Sequence, residues 1–294
     1  MLVLAAVIWG VSFVAQSVGM ETVEAFTFNS IRMLIGGIVL LPLVIVRLRK
    51  QFRAPEKTKE IKKKELKDFL KGGLACGVLL CIASNLQQLA FTYDMEVGKV
   101  GFITALYMVF VPILGFFVGR KARVTGWIGV ILGTIGLYLL CMTEGFSSVG
   151  VGDFLVLGCA VFYALHILVI DRFIERVDDI GLSCAQYLVS GIISAVFMFA
   201  FETPQMSAII ATAPTILYAG IMSCGVAFTF QVVGQKSVEP TVASLLLCLE
   251  SVFSVLFGWL LLHEVLSTRE FIGCAVMFVA VLISQIPEKK KIRG

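Results

Sequence analysis

The stretch TVASLLLCLESVFSVLFGWLLL, Thr241 to Leu262, decides the fold class. A helix rises about 1.5 Å per residue and the hydrocarbon core of a bilayer is about 30 Å thick, so these 22 residues are long enough to cross one. A single carboxylate, Glu250, sits near the centre. Insertion scales put the cost of a mid-span charge at about 2.5–3.5 kcal/mol, so Glu250 must face protein or water and not lipid. A segment of this kind belongs in a bundle of similar segments.

The remainder of the chain supplies that bundle. Of 294 residues, 59% are hydrophobic and only 15% charged, with a mean hydropathy of +0.96. A soluble domain of this length carries more charge. The apolar residues fall in long blocks, too continuous for barrel strands, and only helices or closed barrels satisfy their backbone in lipid. Ten helical spans are expected, at about 2–18, 26–46, 70–91, 97–119, 125–142, 152–172, 180–200, 212–234, 241–262 and 270–286. The fold class is therefore an all-α polytopic membrane protein. MLVLAAVIWGVSFV at the start lacks the basic region of a signal peptide and reads as a first span.

Lysine and arginine fix the direction. Eleven of them lie between Arg47 and Lys71. Arg120, Lys121 and Arg123 follow span 4, Arg172 and Arg176 follow span 6, Lys236 follows span 8, and Lys289, Lys290, Lys291 and Arg293 end the chain. With ten spans all of these fall on one side, and the opposite loops hold just Arg269. Both termini are expected in the cytoplasm, with the protein in the plasma (inner) membrane. The basic loop 47–71 also carries Glu56, Glu60, Glu65 and Asp68, and reads as a solvated positive-inside loop and not as a nucleic-acid patch.

An internal repeat emerges when the chain is compared with itself. An offset of 144 sets Trp127-Ile128-Gly129 over Phe271-Ile272-Gly273 and Gln87 over Gln231. An offset of 154 or 155 relates spans 1–2 to spans 6–7, with VIWGVSF over VFYALHI and Ile35-Gly36 over Ser190-Gly191. Each half, 1–142 and 150–287, holds five spans, and 288–294 is a basic tail. Five is odd, so the halves enter the membrane in opposite senses. Inverted halves are characteristic of secondary transporters.

These features resemble the drug/metabolite transporter superfamily, and within it the ten-span EamA-type transporters. The matching residues are Trp9-Gly10, Arg32, Pro112, Glu250, Glu264 and Gly273, and the resemblance runs along essentially the whole chain. The chain departs from the pattern at Glu250-Ser251, where the family often has Glu-Pro, and at His263-Glu264, where it often has Gly-Glu. Arg120 stands where the first half would match Glu264. The resemblance implies a carrier of small metabolites, often an exporter of amino acids or related compounds, either proton-driven or a facilitator. It also implies a central cavity lined by spans 1, 3, 4, 6, 8 and 9.

Each candidate residue has a functional and a structural reading. Glu250 is a protonatable coupling group or ligand for a substrate amine, or else an acceptor that ties neighbouring helices. Arg32, in the outer half of span 2, is a second coupling or gating candidate that binds a carboxylate, or else a snorkelling or packing residue. Trp9, Ser12 and Gln16 share one face of span 1, and Tyr163 and His166 repeat that face in span 6. They line the cavity or form a hydrogen-bonding seam. His166 has the ring chemistry of a proton switch, although a lone histidine is more often a satisfied packing residue. Asn85 and Gln88 in span 3, Tyr107 in span 4 and Gln231 in span 8 complete the cavity candidates. Gly126, Gly129 and Gly133 allow close helix packing, within a monomer or in a homodimer.

Other classes find little support. The eight cysteines form no C-x-x-C pair and read as small core residues, and two histidines are too few for a multi-histidine metal or haem site. His263-Glu264 does not complete H-E-x-x-H, because Ser267 stands at the second histidine position. No cofactor is called for. A lipid-acting membrane enzyme and a non-transporting receptor or assembly factor remain the alternatives to a transporter of small molecules.

Overall fold

A computed structural model of the chain describes residues 1–53, 59–93, 95, 97–120, 122–142, 149–262 and 267–286. His263, Glu264, Lys121 and the tail 288–294 lie outside the described residues. Among those described there is no strand. The helices are α1 (Leu2–Met20), α2 (Ala25–Arg53), α3 (Lys59–Ala90), α4 (Val97–Ala105), α5 (Tyr107–Phe117), α6 (Val124–Cys141), α7 (Val151–Phe173) and α8 (Asp179–Phe201). They continue with α9 (Met206–Ala211), α10 (Ala213–Tyr218), a π-helical segment (Ala219–Phe228), α11 (Thr229–Gln235), α12 (Pro240–Leu247), α13 (Leu249–Leu262) and α14 (Thr268–Ser284).

Among the described residues, nine helical stretches are long and apolar enough to cross a membrane. The tenth expected span is α14, whose 17 residues sit at the short end of the spanning range of about 17–25. Ser267 caps it, accepting from the Glu270 amide while Glu270 accepts from the Ser267 amide. This capping box sets where the helix starts. The outward faces carry exposed apolar side chains such as Ile38, Phe116, Ile131, Phe199 and Leu282, as a lipid-facing surface requires. Part of the expected basic loop is helix: α2 runs on to Arg53 and α3 begins at Lys59.

Two spans are broken near their middles. α4 gives way to α5 at Leu106, and α12 to α13 at Cys248. The second break forms without the proline common in the resembled family. There the Ser251 amide turns back to the Cys248 carbonyl, and the Cys248 thiol donates to the Ala105 carbonyl at 3.3 Å. One broken span thus touches the other beside its break.

The packing repeats when each helix is exchanged for its counterpart five spans away. α6 packs on α14 and α2 on α8, pairs that map onto themselves. α3 against α7 maps onto α1 against the π segment, and α1 against α13 onto α7 against α5. Glycines hold the self-mapping pairs at close range. A Cβ on Gly273 would stand 2.8 Å from the Gly136 carbonyl oxygen, and one on Gly129 would stand 3.0 Å from that of Ala280. The offset of 144 turns one contact into the other. At the α2–α8 crossing, a Cβ on Gly37 would meet Leu188 Cδ2 at 2.6 Å, and one on Gly191 would meet Leu34 Cγ at 2.8 Å. This pairing selects the offset of 154. Gly129 and Gly133, candidates for a dimer face, are covered by α14, α12 and α5 of the same chain.

The α2–α8 pair is also tied at both ends. Glu202 accepts from the Phe26 and Thr27 amides at 2.7 Å each, capping α2 from far along the chain. At the other end Arg47 pairs with Asp178 and Asp179, at 3.2 and 2.7 Å.

The α6–α14 contact is tested by adding one methyl group. Gly273→Ala forces a Cβ against backbone atoms that cannot turn aside, an overpacking cost of about 1–3 kcal/mol. Its thermal midpoint in detergent should fall. Gly101→Ala, where a Cβ meets nothing within 4 Å, should leave the midpoint unchanged or raise it.

Candidate functional site

The broken spans and the π segment surround a cavity near the middle of the bundle, lined by Trp9, Ser12, Gln16, Arg32, Gln87, Thr104, Tyr107, Tyr163, Ser223, Phe228, Gln231 and Glu250 among others. Its volume is about 50 Å³, room for a few water molecules. Trp9, Ser12 and Gln16 follow the face spacing of α1, so all three reach it together. Gly10 makes this approach possible, because a Cβ there would stand 2.8 Å from Ser254 N and 3.0 Å from the Glu250 carbonyl oxygen.

Aromatic rings form much of the wall. Trp9 meets Phe228 edge-on with centroids 4.5 Å apart, and Tyr107 meets Tyr163 edge-on at 6.4 Å. Trp9 and Tyr163 occupy equivalent places in the two halves, as do Gln87 and Gln231.

Glu250 lies in the first turn of α13 and is 5% exposed. A helix start favours negative charge. Its contact with the Tyr107 hydroxyl is 3.4 Å, well beyond an ordinary O–H···O bond of about 2.7–2.8 Å. Glu250 is thus buried, on the cavity wall, and held there by one long hydrogen bond among the described residues.

Arg32 is 2% exposed and lies over the Phe28 ring at 5.6 Å. Its Nε donates to Asn29 Oδ1 at 2.6 Å. Asn29 Nδ2 donates in turn to the Ser84 carbonyl and Asn85 Oδ1, and Asn85 Nδ2 donates to Ser194 Oγ at 2.7 Å. Asn85 therefore lies behind Arg32 and not on the cavity wall. Gln88 is also set back, its Nε2 donating to the Gln16 carbonyl at 3.3 Å. His166 points the other way, towards α8, sharing a 2.9 Å hydrogen bond with Gln186 Oε1, and it is fully buried away from the cavity.

Several polar atoms of lining residues have no hydrogen-bond partner among the described residues: Ser12 Oγ, Gln16 Oε1 and Gln231 Oε1. Among the described residues no group of three His, Cys, Asp or Glu converges as a metal site, and the described cysteines are free thiols.

A wider vestibule of about 580 Å³ opens at the end of the bundle that carries Arg120, Arg123 and Lys236. Roughly one helical turn separates it from the central cavity. Tyr107 faces the cavity and Val111 the vestibule; Ile167 and Asp171 divide in the same way, as do Gln231 and Gln235. Gln235 Nε2 closes across this barrier onto the Ile167 carbonyl at 3.1 Å. Arg120 pairs with Asp171 at 2.5 Å at the vestibule rim, and Lys99 with Asp153 at 2.7 Å at the opposite end of the same helices. Lys99, near one end of the broken span, is thus an ion-paired residue.

Phe228, Ser223 and Thr104 were not singled out from the sequence. Phe228 and Ser223 lie on the π segment, which no motif in AGIMSCGVAF announces. Gln87 was visible through its repeat relation to Gln231.

Known proteins place this arrangement in context. The family model described as the EamA-like transporter family matches residues 1–142 and 150–285. A protein of Archaeoglobus fulgidus named an uncharacterized transporter is 27% identical, over 96% of this chain and 83% of its own. The uncharacterized transporter YoaV of Bacillus subtilis is 22% identical, covering 94% and 92%. The uncharacterized inner membrane transporter YedA of Escherichia coli is also 22% identical, covering 94% and 87%. One crystal structure superposes with a TM-score of 0.77 at 19% identity, over 96% of this chain and 94% of that one, and shares the fold. With two family matches that between them take in nearly every residue, and a polytopic helical bundle around a mid-span cavity, the chain belongs to the EamA-like transporter family.

Proposed function

We propose that this protein is a secondary transporter of the plasma membrane that exports small organic metabolites, amino acids or related compounds among them, by alternating access. Its ten spans act as two inverted five-helix halves, 1–142 and 150–287, with both termini in the cytoplasm. The observation that carries the reading is Glu250, a buried carboxylate loosely held on the wall of a mid-span cavity. A group fixed there for packing alone would be expected to have short, saturated hydrogen bonds. A group that exchanges a proton or a ligand must be able to let its partner go. The self-mapping helix contacts support the same reading, because related contacts give the two tilted states similar energies. Discontinuous helices at mid-depth are also where transporters of this architecture bind their cargo.

In this mechanism Glu250 takes up or releases a proton as the cavity changes sides, while Trp9, Tyr107 and Tyr163 enclose the cargo. The one-turn barrier at Ile167 and Gln235 opens for loading from the vestibule. His166 serves packing.

The first test is untargeted mass spectrometry of growth medium from cells with intact protein, with Glu250→Gln at matched membrane level, and with empty vector. A compound class should accumulate with the intact protein and fall to the vector level with Glu250→Gln. Glu250→Gln should still catalyse one-for-one exchange of labelled for unlabelled compound across proteoliposomes, because only net, proton-coupled movement is removed. Three identical media would sink the export reading.

Replacing His166 by Phe should lower the thermal midpoint by the loss of its Gln186 hydrogen bond, about 1–3 kcal/mol, and leave transport intact. Loss of transport in a folded His166→Phe protein would return that residue to the mechanism. For orientation, fluorescent protein fused after Gly294 should fluoresce, and alkaline phosphatase fused there should be inactive. The reverse pattern would invert the topology.

A further inference from the structure

We propose that the cargo carries a carboxylate and that Arg32 is its receptor. The inference rests on the transport reading above and narrows it to small organic acids, zwitterions included, that present a free carboxylate to the outer half of the cavity.

The argument begins with charge balance. Arg47, Lys99, Arg120 and Arg123 each face a carboxylate within an ion pair. Arg32 faces none among the described residues, and its single protein hydrogen bond there is the one from Nε to Asn29. A guanidinium carries five N–H donors in a planar fork. Among the described residues the two terminal nitrogens of Arg32 therefore have no acceptor, on a residue 2% exposed that lines the cavity. An unpaired charge is costly in such a place. If Arg32 existed only to join helices, a neighbouring carboxylate would neutralise it.

The groups that orient Arg32 are neutral instead. Asn29, Asn85 and Ser194 form a chain of amide and hydroxyl contacts that anchors Nε. Anchoring by neutral groups fixes the direction of the fork and leaves its charge uncompensated. That is the requirement for binding a mobile anion: a carboxylate from outside can accept two parallel N–H bonds, and on leaving it gives up no competitor to a protein acid. Glu250, the carboxylate on the same cavity wall, forms no ion pair with Arg32, so the positive and negative groups remain separately available. The unpartnered Gln16 and Gln231 oxygens and the aromatic wall suit a cargo with some further donor capacity and an apolar body.

The test extends the medium comparison to Arg32→Gln and Arg32→Lys at matched membrane levels, with each purified variant checked for a single symmetric elution peak. Compounds whose export depends on intact protein should carry a free carboxylate. Arg32→Gln should reduce their export about 10- to 100-fold, the worth of a hydrogen bond to a charged group. Arg32→Lys keeps the charge and loses the fork, so it should raise KM with little change in kcat. The amide of the same compound should compete at least tenfold less well than the acid. Protein-dependent export of compounds lacking a carboxylate would overturn the inference and leave transport standing, as would carboxylates exported equally by Arg32→Gln. Media identical to the vector control would remove both. If Arg32→Gln does not reach the membrane, Arg32→Lys decides: an unchanged KM for the carboxylate compound sinks the proposal.

Discussion

Lipid accepts and donates no hydrogen bonds, so each polar atom inside this bundle must be matched by the chain itself or by the contents of the cavity. That constraint sorts the polar residues of the spans into two groups. Asn29, Ser84, Asn85 and Ser194 satisfy one another across α2, α3 and α8. Ser12, Gln16, Gln231, Arg32 and Glu250 face the central space with bonds missing or weak. The second group is expensive to keep, and the cost makes sense only where something else completes the bonding. The first group explains how the second holds its place: a rigid amide network behind Arg32 lets a charged side chain point inward without collapsing onto a neighbour.

Glycine supplies the matching constraint on shape. Helices in lipid gain little from apolar contact alone, so they associate through close backbone approach. The α6–α14 and α2–α8 crossings use this in pairs, Gly129 with Gly273 and Gly37 with Gly191, each serving its half of the chain in the same way. Both crossings map onto themselves when the halves are exchanged, so they mark where an axis between the halves would run. The cavity lies among the helices whose contacts are instead exchanged, α1 with α7 and the two broken spans with each other.

How much of this could be read from the letters follows from the same physics. Hydropathy locates the spans because the lipid-facing surface dominates composition; α14 starts at Thr268, two residues before the expected 270, and ends at Ser284, so its 17 residues match the expected length at a shifted register. A charge in mid-span points inward by cost alone, so Glu250 and Arg32 both reach the cavity. Helical periodicity tells which residues share a face but not which buried face meets the cavity. In α1 the shared face of Trp9, Ser12 and Gln16 does so; in α3 the face of Asn85 and Gln88 packs away, and the cavity receives Gln87. His166 repeats the position of Ser12 but turns to Gln186, because α8 offers an amide where the first half has a different neighbour. The π segment had no legible signal in its own letters; its close neighbours, Gly36 and the Arg32 carbonyl, come from α2, beyond the reach of local sequence.

The ion pairs show where the bundle can and cannot yield. Lys99–Asp153 and Arg120–Asp171 join α4 and α5 to α7 at opposite ends. A pair at one end alone would act as a latch that opens when the helices splay. Pairs at both ends instead bind the broken span and α7 into one body along their length. In the proposed rocking, separation at the vestibule must then occur elsewhere, between this body and the one built from α1 and α13. The two bodies meet at the central cavity, where Tyr107 on one and Glu250 on the other touch at 3.4 Å. In the proposed rocking, the weak contact at the middle is thus the joint between the two bodies, and the protonation change proposed for Glu250 would alter the attraction across it directly.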